Sequence, residues 1–255
     1  MVEKLIDSRL VVAREHLHHH ATSVLNEHDH LRDLVETPIE EPLRLSFDER
    51  RQRARRYLGV KAQSLNAALK PAFGHVGGWQ FEATVRDGVI LGSSDHETRI
   101  EGFDIARFDE RANLARLWSV CFGRRTVQDG QDLWRRFIYA RPHLTELAEE
   151  LQNIGAPGED LVLDQLEPTV LGEIQFGNWA LAYRDIMKLL AAAVETEVDL
   201  FVYVAADGRL ADMISQGTVN FERMQDILRD YGSVVSVPTW LVGIDFAEGA
   251  EPEQA

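Results

Sequence analysis

The chain has 255 residues, 45% of them hydrophobic, and one cysteine, Cys121; this is enough apolar material for a large core and excludes a disulfide framework or a cysteine-based zinc site. No run of about 18 apolar residues offers a membrane-spanning helix, and the formal net charge of −15 argues against non-specific nucleic-acid binding, which is dominated by phosphate charge. That charge is uneven: residues 1–159 hold 22 Lys and Arg against 25 Asp and Glu, whereas residues 160–255 hold 5 against 17. The N-terminus is charged and has no apolar signal region, so the expected location is cytoplasmic.

In chain order, residues 8–36 read as a long amphipathic helix, with Leu10, Leu17, Val24 and Leu31 spaced by seven and Thr37-Pro38 as its stop. Ser46 reads as an N-cap with Glu49 completing a capping box, opening a second helix from Phe47 to Leu69 that stops near Pro71. Residues 73–79 read as a loop. Gln80–Val85 and Val89–Leu91 flank a hairpin turn at Arg86-Asp87-Gly88. Residues 104–122 and 129–139 look helical, and Pro142 opens another helix reaching Ile154.

After residue 160 the pattern changes. Residues 160–164 and 169–176 read as strands joined by a turn containing Pro168. Asn178 caps a helix with Trp179, Ala182, Tyr183, Ile186, Leu189, Leu190 and Ala193 as its apolar stripe. Val198–Val204 is a continuous apolar run, as in a buried parallel strand. Asp207-Gly208 is a turn, Asn220 caps a helix through Leu228, and Pro238–Asp245 is a last strand. Alternating strands and helices imply an α/β sheet with right-handed crossovers. The expected fold is a mixed central sheet flanked by helices, in one domain: residues 1–159 mainly helical, 160–246 the α/β core, and 247–255 a disordered acidic tail.

Glu173 is the residue that most needs explaining, because a carboxylate inside an apolar strand costs several kcal/mol unless it is paired. A divalent cation shared with Asp164 would supply the partner. The order strand, Asp, turn, strand carrying Glu173-Ile174-Gln175-Phe176-Gly177-Asn178-Trp179, helix and buried strand, closed by Pro238–Asp245, resembles the PD-(D/E)xK nuclease fold. Within that fold it is most similar to the BglII-type restriction endonucleases, in which glutamine replaces the usual lysine, as at Gln175. The resemblance covers residues 160–246.

What the resemblance implies is a Mg²⁺-dependent type II restriction endonuclease, acting as a homodimer on a short site in double-stranded DNA. Asp164, Glu173 and the carbonyl of Ile174 would hold the metal, and Gln175 would orient the attacking water. The period of two in a strand puts Glu173 and Gln175 on one side. A neutral glutamine amide supplies no positive charge, so the metal must carry the charge stabilisation. Residues 1–159 would supply the dimer interface and base-reading loops. The contrasting reading is a nuclease-fold protein that binds DNA or a partner without cutting.

Other residues admit more than one reading. Asp160 or Glu167 replaces Asp164 if the strand register shifts by one or two residues, and Glu101 or Asp104 are further ligand candidates. Arg50, Arg51, Arg53, Arg55 and Arg56 form a basic run suited to phosphate contacts; the plainer reading is a solvated helix face. Lys188 reads as a surface lysine. His16, His18, His19, His20, His28 and His30 cannot all converge from successive faces of one helix, so a structural histidine-rich face is preferred to a zinc site.

Overall fold

A computed structural model describes residues 4–52, 55–92, 102–215 and 217–249 of the chain. Its elements run β1 (Lys4–His18), α1 (Ala21–Glu27), α2 (His30–Glu40), β2 (Pro42–Gln52), β3 (Arg55–Val60), α3 (Ala62–Val76), β4 (Gln80–Arg86), β5 (Val89–Leu91) and β6 (Phe103–Arg107). They continue with α4 (Glu110–Phe122), α5 (Gly130–Tyr139), α6 (Thr145–Ile154), β7 (Val170–Ile174), α7 (Ala180–Glu195), β8 (Leu200–Ala206), α8 (Gly208–Met213), α9 (Phe221–Asp230) and β9 (Thr239–Phe246). The residues fall into two compact units. The first comprises Met1–Trp79, Gly172–Leu190 and Asp199–Ala255; the second comprises Gln80–Leu171 and Ala191–Val198.

The first unit is a mixed sheet in the order β3-β2-β1-β9-β8-β7. β8 is buried throughout and pairs parallel with β9 from Phe201↔Thr239 to Ala206↔Ile244. This is the continuous apolar strand expected of a two-sided burial. β1 pairs antiparallel with β2 through its first half and with β9 through its second. It therefore joins the N-terminal segment to the α/β core.

β1 occupies the first half of the span expected as a helix over residues 8–36. The seven-residue spacing of Leu10, Leu17, Val24 and Leu31 is compatible with a helix, but the ladders on both sides of β1 decide in favour of strand. Residues 47–69 are likewise not one helix. β2 and β3 form a hairpin with register Phe47↔Val60 through Gln52↔Arg55, and the helix begins only at Ala62. The alternation of buried Leu43, Leu45 and Phe47 is the period-two signal that competes with the capping-box reading. Ser46 is not an N-cap; its backbone N–H donates to Ser64 Oγ at 2.7 Å. Pro38 and Pro71 both lie inside helices, α2 and α3, rather than ending them. Residues 73–76, expected as loop, are the last turn of α3, with Phe73 fully buried.

The second unit holds the strands β6-β4-β5 in that order. β4 and β5 form the expected hairpin, and Asp87 and Gly88 have φ of +51° and +77°, the two positive values a type I′ turn requires. Residues 104–107, the start of the helix expected over 104–122, belong to β6 instead. α4 starts at Glu110, where the Asp109 carboxylate accepts N–H bonds from Arg111 and Ala112. Buried Asn113 on α4 accepts from the Ile90 N–H at 2.8 Å and donates to the Ile90 carbonyl at 3.0 Å, which completes the edge of β5. Burial pushes the Cys121 thiol up to about 12, so it is a small core residue and not a nucleophile. No helix among the described residues is long and apolar enough to cross a membrane. Residues 250–255 of the acidic tail lie outside the described residues.

His16 and His18 lie in β1 and His19 and His20 in the turn after it, whereas His28 follows α1 and His30 opens α2. His18 Nε2 donates to the Val235 carbonyl at 3.1 Å and His19 Nε2 to the Gly232 carbonyl at 2.9 Å, and their rings lie 4.4 Å apart. Burial holds both His16 and His18 below the ordinary imidazole range; for His18 the hydrogen bond to Val235 opposes this and the neighbouring imidazoles reinforce it. The unfolded chain therefore takes up these protons first. Stability is complete above a pH of about 6.5 and declines as pH falls into the lowered folded range. Thermal melts are expected to show a falling Tm between pH 7 and about 5.5, and a smaller fall in a His16→Asn/His18→Asn variant. Equal slopes for the two proteins would contradict this.

Candidate active site

The site is assembled from β7, β8 and α7 within the first unit. β7 is buried at every position, and Glu173 is only 3% exposed. Its carboxylate is met by the ammonium of Lys188, reaching across from α7 in a close ion pair through Oε1. Lys188 is thus a site residue and not a surface lysine. Its stem is largely covered, with 19% of the side chain exposed.

Gln175 lies just past β7, and its backbone N–H donates to the Val204 carbonyl at 2.9 Å. Its amide is used at both ends. Oε1 accepts from the Gly177 N–H at 2.8 Å, and Nε2 donates to Asp185 Oδ2 at 3.1 Å. A Cβ on residue 177 would stand 2.7 Å from Gln175 Oε1, so glycine is what allows the backbone this close. Asp185 is fully buried and also accepts from the Tyr203 hydroxyl at 3.4 Å. The Arg184 guanidinium stands 3.7 Å from its other oxygen. Tyr203, Asp185, Gln175 and Gly177 form one chain of hydrogen bonds that fixes the corner between β7 and α7. Asn178 Oδ1 accepts from the Ala180 N–H at 2.9 Å, which is the capping role expected of it.

Asp185 is the residue that the apolar-stripe reading misses. The buried face of α7 is Ala182, Asp185, Ile186, Leu189 and Ala192, whereas Trp179 and Tyr183, expected on the stripe, are exposed. The i, i+3, i+4 spacing places Asp185 on the inner face. A carboxylate at an apolar-face position is the sequence signal for it.

Asp164 belongs to the second unit and is exposed, on a segment that is irregular and not the strand expected over 160–164. Leu161 and Leu166 of this segment bond through their backbone to Ser119 in the last turns of α4 and to its N-cap Asp109, instead of to a strand. Leu161 N–H donates to Ser119 Oγ at 2.7 Å, Ser119 Oγ donates to the Leu161 carbonyl at 3.0 Å, and Leu166 N–H donates to Asp109 Oδ2 at 2.8 Å. Asp160 accepts from the Arg124 N–H at 2.9 Å. Asp104 lies in β6, and Glu101 falls outside the described residues. Among the described residues no three His, Cys, Asp or Glu side chains converge as a metal cluster. The donor chemistry at Glu173 nonetheless suits a hard cation: it is a buried carboxylate, a hard oxygen donor, already paired with one cationic side chain.

The basic run lies on the β2–β3 hairpin, not on a helix. Arg51 stands opposite Arg56, Gln52 opposite Arg55 and Arg50 opposite Tyr57; Arg53 lies outside the described residues.

A sequence profile of the family described as restriction endonuclease BglII/BglIII matches residues 13–244. The chain belongs to the BglII/BglIII restriction endonuclease family. A search of curated proteins returned no match. Among solved structures, restriction endonuclease BglII complexed with a DNA 16-mer is similar at 14% identity and a TM-score of 0.47, covering 95% of this chain and 76% of that one. Family membership makes the protein a type II site-specific deoxyribonuclease, a hydrolase of the phosphodiester bond. It also extends the likeness legible in residues 160–246 back to residue 13.

In this BglII-family enzyme, Asp185→Leu removes the acceptor for both Gln175 and Tyr203 in a buried site. An uncompensated loss of this kind costs about 3 kcal/mol, to be measured by urea denaturation. A change under about 0.5 kcal/mol, the range of an ordinary surface substitution, would contradict the network.

Proposed function

We propose that this endonuclease is a cytoplasmic, Mg²⁺-dependent homodimer that cleaves both strands of duplex DNA at a specific short site. The observation that carries the reading is Glu173, a carboxylate 3% exposed, two residues before a glutamine and paired with a cation. Glu173, Asp164 and the carbonyl of Ile174 are the proposed holders of the metal. When bound, Mg²⁺ lowers the pKa of a water and polarises the phosphoryl oxygens.

The chain's own residues then have distinct tasks. Glu173 supplies negative charge that fixes the cation at the end of β7. Asp185 and Gly177 hold the Gln175 amide in one orientation, and the second lone pair on Gln175 Oε1 is available to accept from the attacking water. Arg50, Arg51, Arg53, Arg55 and Arg56 are the proposed phosphate contacts. Arg51 and Arg56 are register partners across the β2–β3 ladder, which brings two positions of the basic run to one place on the hairpin. The homodimer is supported by exposed aromatic and apolar side chains in the first unit. Trp179, Tyr183 and Tyr231 form a run of edge contacts with centroids 5.8 Å apart, and Met187 and Val234 are exposed as well. Such a patch on a soluble protein marks an association surface, and a two-fold dimer matches a palindromic site.

Digestion of mixed plasmid and phage DNA tests the reading. The wild type is expected to yield discrete fragments with Mg²⁺ and none in excess EDTA. Glu173→Ala is expected to lose cleavage by about 10²–10³-fold or more while retaining salt-dependent duplex binding. Cleavage that survives the chelator would overturn the metal assignment.

A further inference from the structure

We propose that Lys188 is a resident counter-ion for Glu173, holding the cation position in the metal-free enzyme and leaving it when a divalent ion binds, so that Lys188 sets the metal affinity of the site. The inference rests on the metal-dependent reading of Glu173 given above. Three observations carry it.

The first is the pair itself. Glu173 is buried and Lys188 is the cation in contact with it. A buried carboxylate stripped of its partner is strongly disfavoured, so the ionised form of Glu173 calls for a positive charge beside it. Lysine supplies that charge without metal, and a divalent cation can supply it when bound.

The second is the residue type. A lysine offers a compact point charge on a flexible four-carbon stem, whereas an arginine would grip the carboxylate with a planar fork. A lysine at α7 can withdraw without moving the helix. Its partly exposed side chain gives the ammonium a route toward solvent, and toward a phosphate brought to the site.

The third is Gln175. The strand position two residues after Glu173 carries no charge, and its amide is committed to Asp185 and Gly177. The cationic side chain of the site therefore enters from α7 instead of from β7. Lys188 is a positioning residue in the metal-free state; once displaced, its charge remains beside the reaction centre.

Calcium titration of the full chain without DNA, followed by the rise in Tm, tests this, because cleavage plays no part in the readout. For the wild type a Ca²⁺-dependent rise is expected, with a midpoint set by competition with the ammonium. Lys188→Met is expected to melt lower without Ca²⁺, to recover on adding it, and to bind at least about tenfold more tightly, the scale of a close charge pair. Lys188→Arg keeps the charge and is expected to bind Ca²⁺ no more tightly than the wild type. If Lys188→Met folds poorly, restoration of its cooperative melt by Ca²⁺ supports the proposal, and failure of Ca²⁺ to restore it refutes it. Equal midpoints for wild type and Lys188→Met would refute the competition while leaving the metal reading intact. No Ca²⁺ response in any of the three proteins would refute the metal reading and this inference together.

Discussion

A negative charge held inside a sheet must be matched wherever the enzyme is in its cycle. Glu173 sits in a strand with no exposed position, so the protein cannot rely on water to stabilise it. The rest of the site follows from that requirement. α7 delivers an ammonium to the carboxylate, and the same helix face delivers Asp185 to the next polar group along, Gln175. Tyr203 on β8 and the Gly177 backbone complete the second network. Glu173 is thus tied to Lys188 by an ion pair, and Gln175, Asp185 and Tyr203 to one another by hydrogen bonds, which is how a polar cluster persists in an apolar interior. The arrangement is specific to a helix crossing over between two neighbouring buried strands.

Charge distribution acquires a structural reading at the same time. Residues 160–255 are strongly acidic, which by itself is a poor surface for DNA. The first unit is not built from that half alone: β1, β2 and β3 join β9, β8 and β7 in one sheet. The arginine-bearing hairpin therefore belongs to the same compact unit as Glu173. A basic arm contributed by the N-terminal segment to the unit that carries the candidate catalytic residues is consistent with a family profile that starts at residue 13 and not at residue 160.

Much of the α/β core was legible because its signals are local. The apolar run at β8 and the Asn220 cap of α9 each depend on a few adjacent residues, as does the Asp87-Gly88 hairpin outside that core. The first parts of the helices expected over 8–36 and 47–69 are strands: a seven-residue apolar spacing suggested the one and a capping-box pattern the other, while strand pairing across long sequence separations decided the outcome. β1 is held by Pro42–Phe47 on one side and Thr239–Phe246 on the other, partners no local window contains. At the site, Glu173 and Gln175 stood out because a carboxylate and an amide interrupt an apolar strand. Asp185 was missed because the inner face of the helix was read from its apolar residues alone. Lys188 was assigned to the surface, since nothing in its immediate neighbours reveals a carboxylate fifteen positions earlier. Where a strand was expected around Asp164, Ser119 of α4 and its N-cap Asp109 bond the backbone of Leu161 and Leu166, a tertiary substitution that sequence pattern does not encode.

The central claim is that the buried charge of Glu173 marks a cation site. Anomalous diffraction from crystals grown with Mn²⁺ tests it most directly. The account predicts an anomalous peak within coordination distance of a Glu173 carboxylate oxygen, with the Lys188 ammonium withdrawn from that oxygen. A saturated crystal with no peak there, or with Mn²⁺ bound only elsewhere while Lys188 still contacts Glu173, would contradict it.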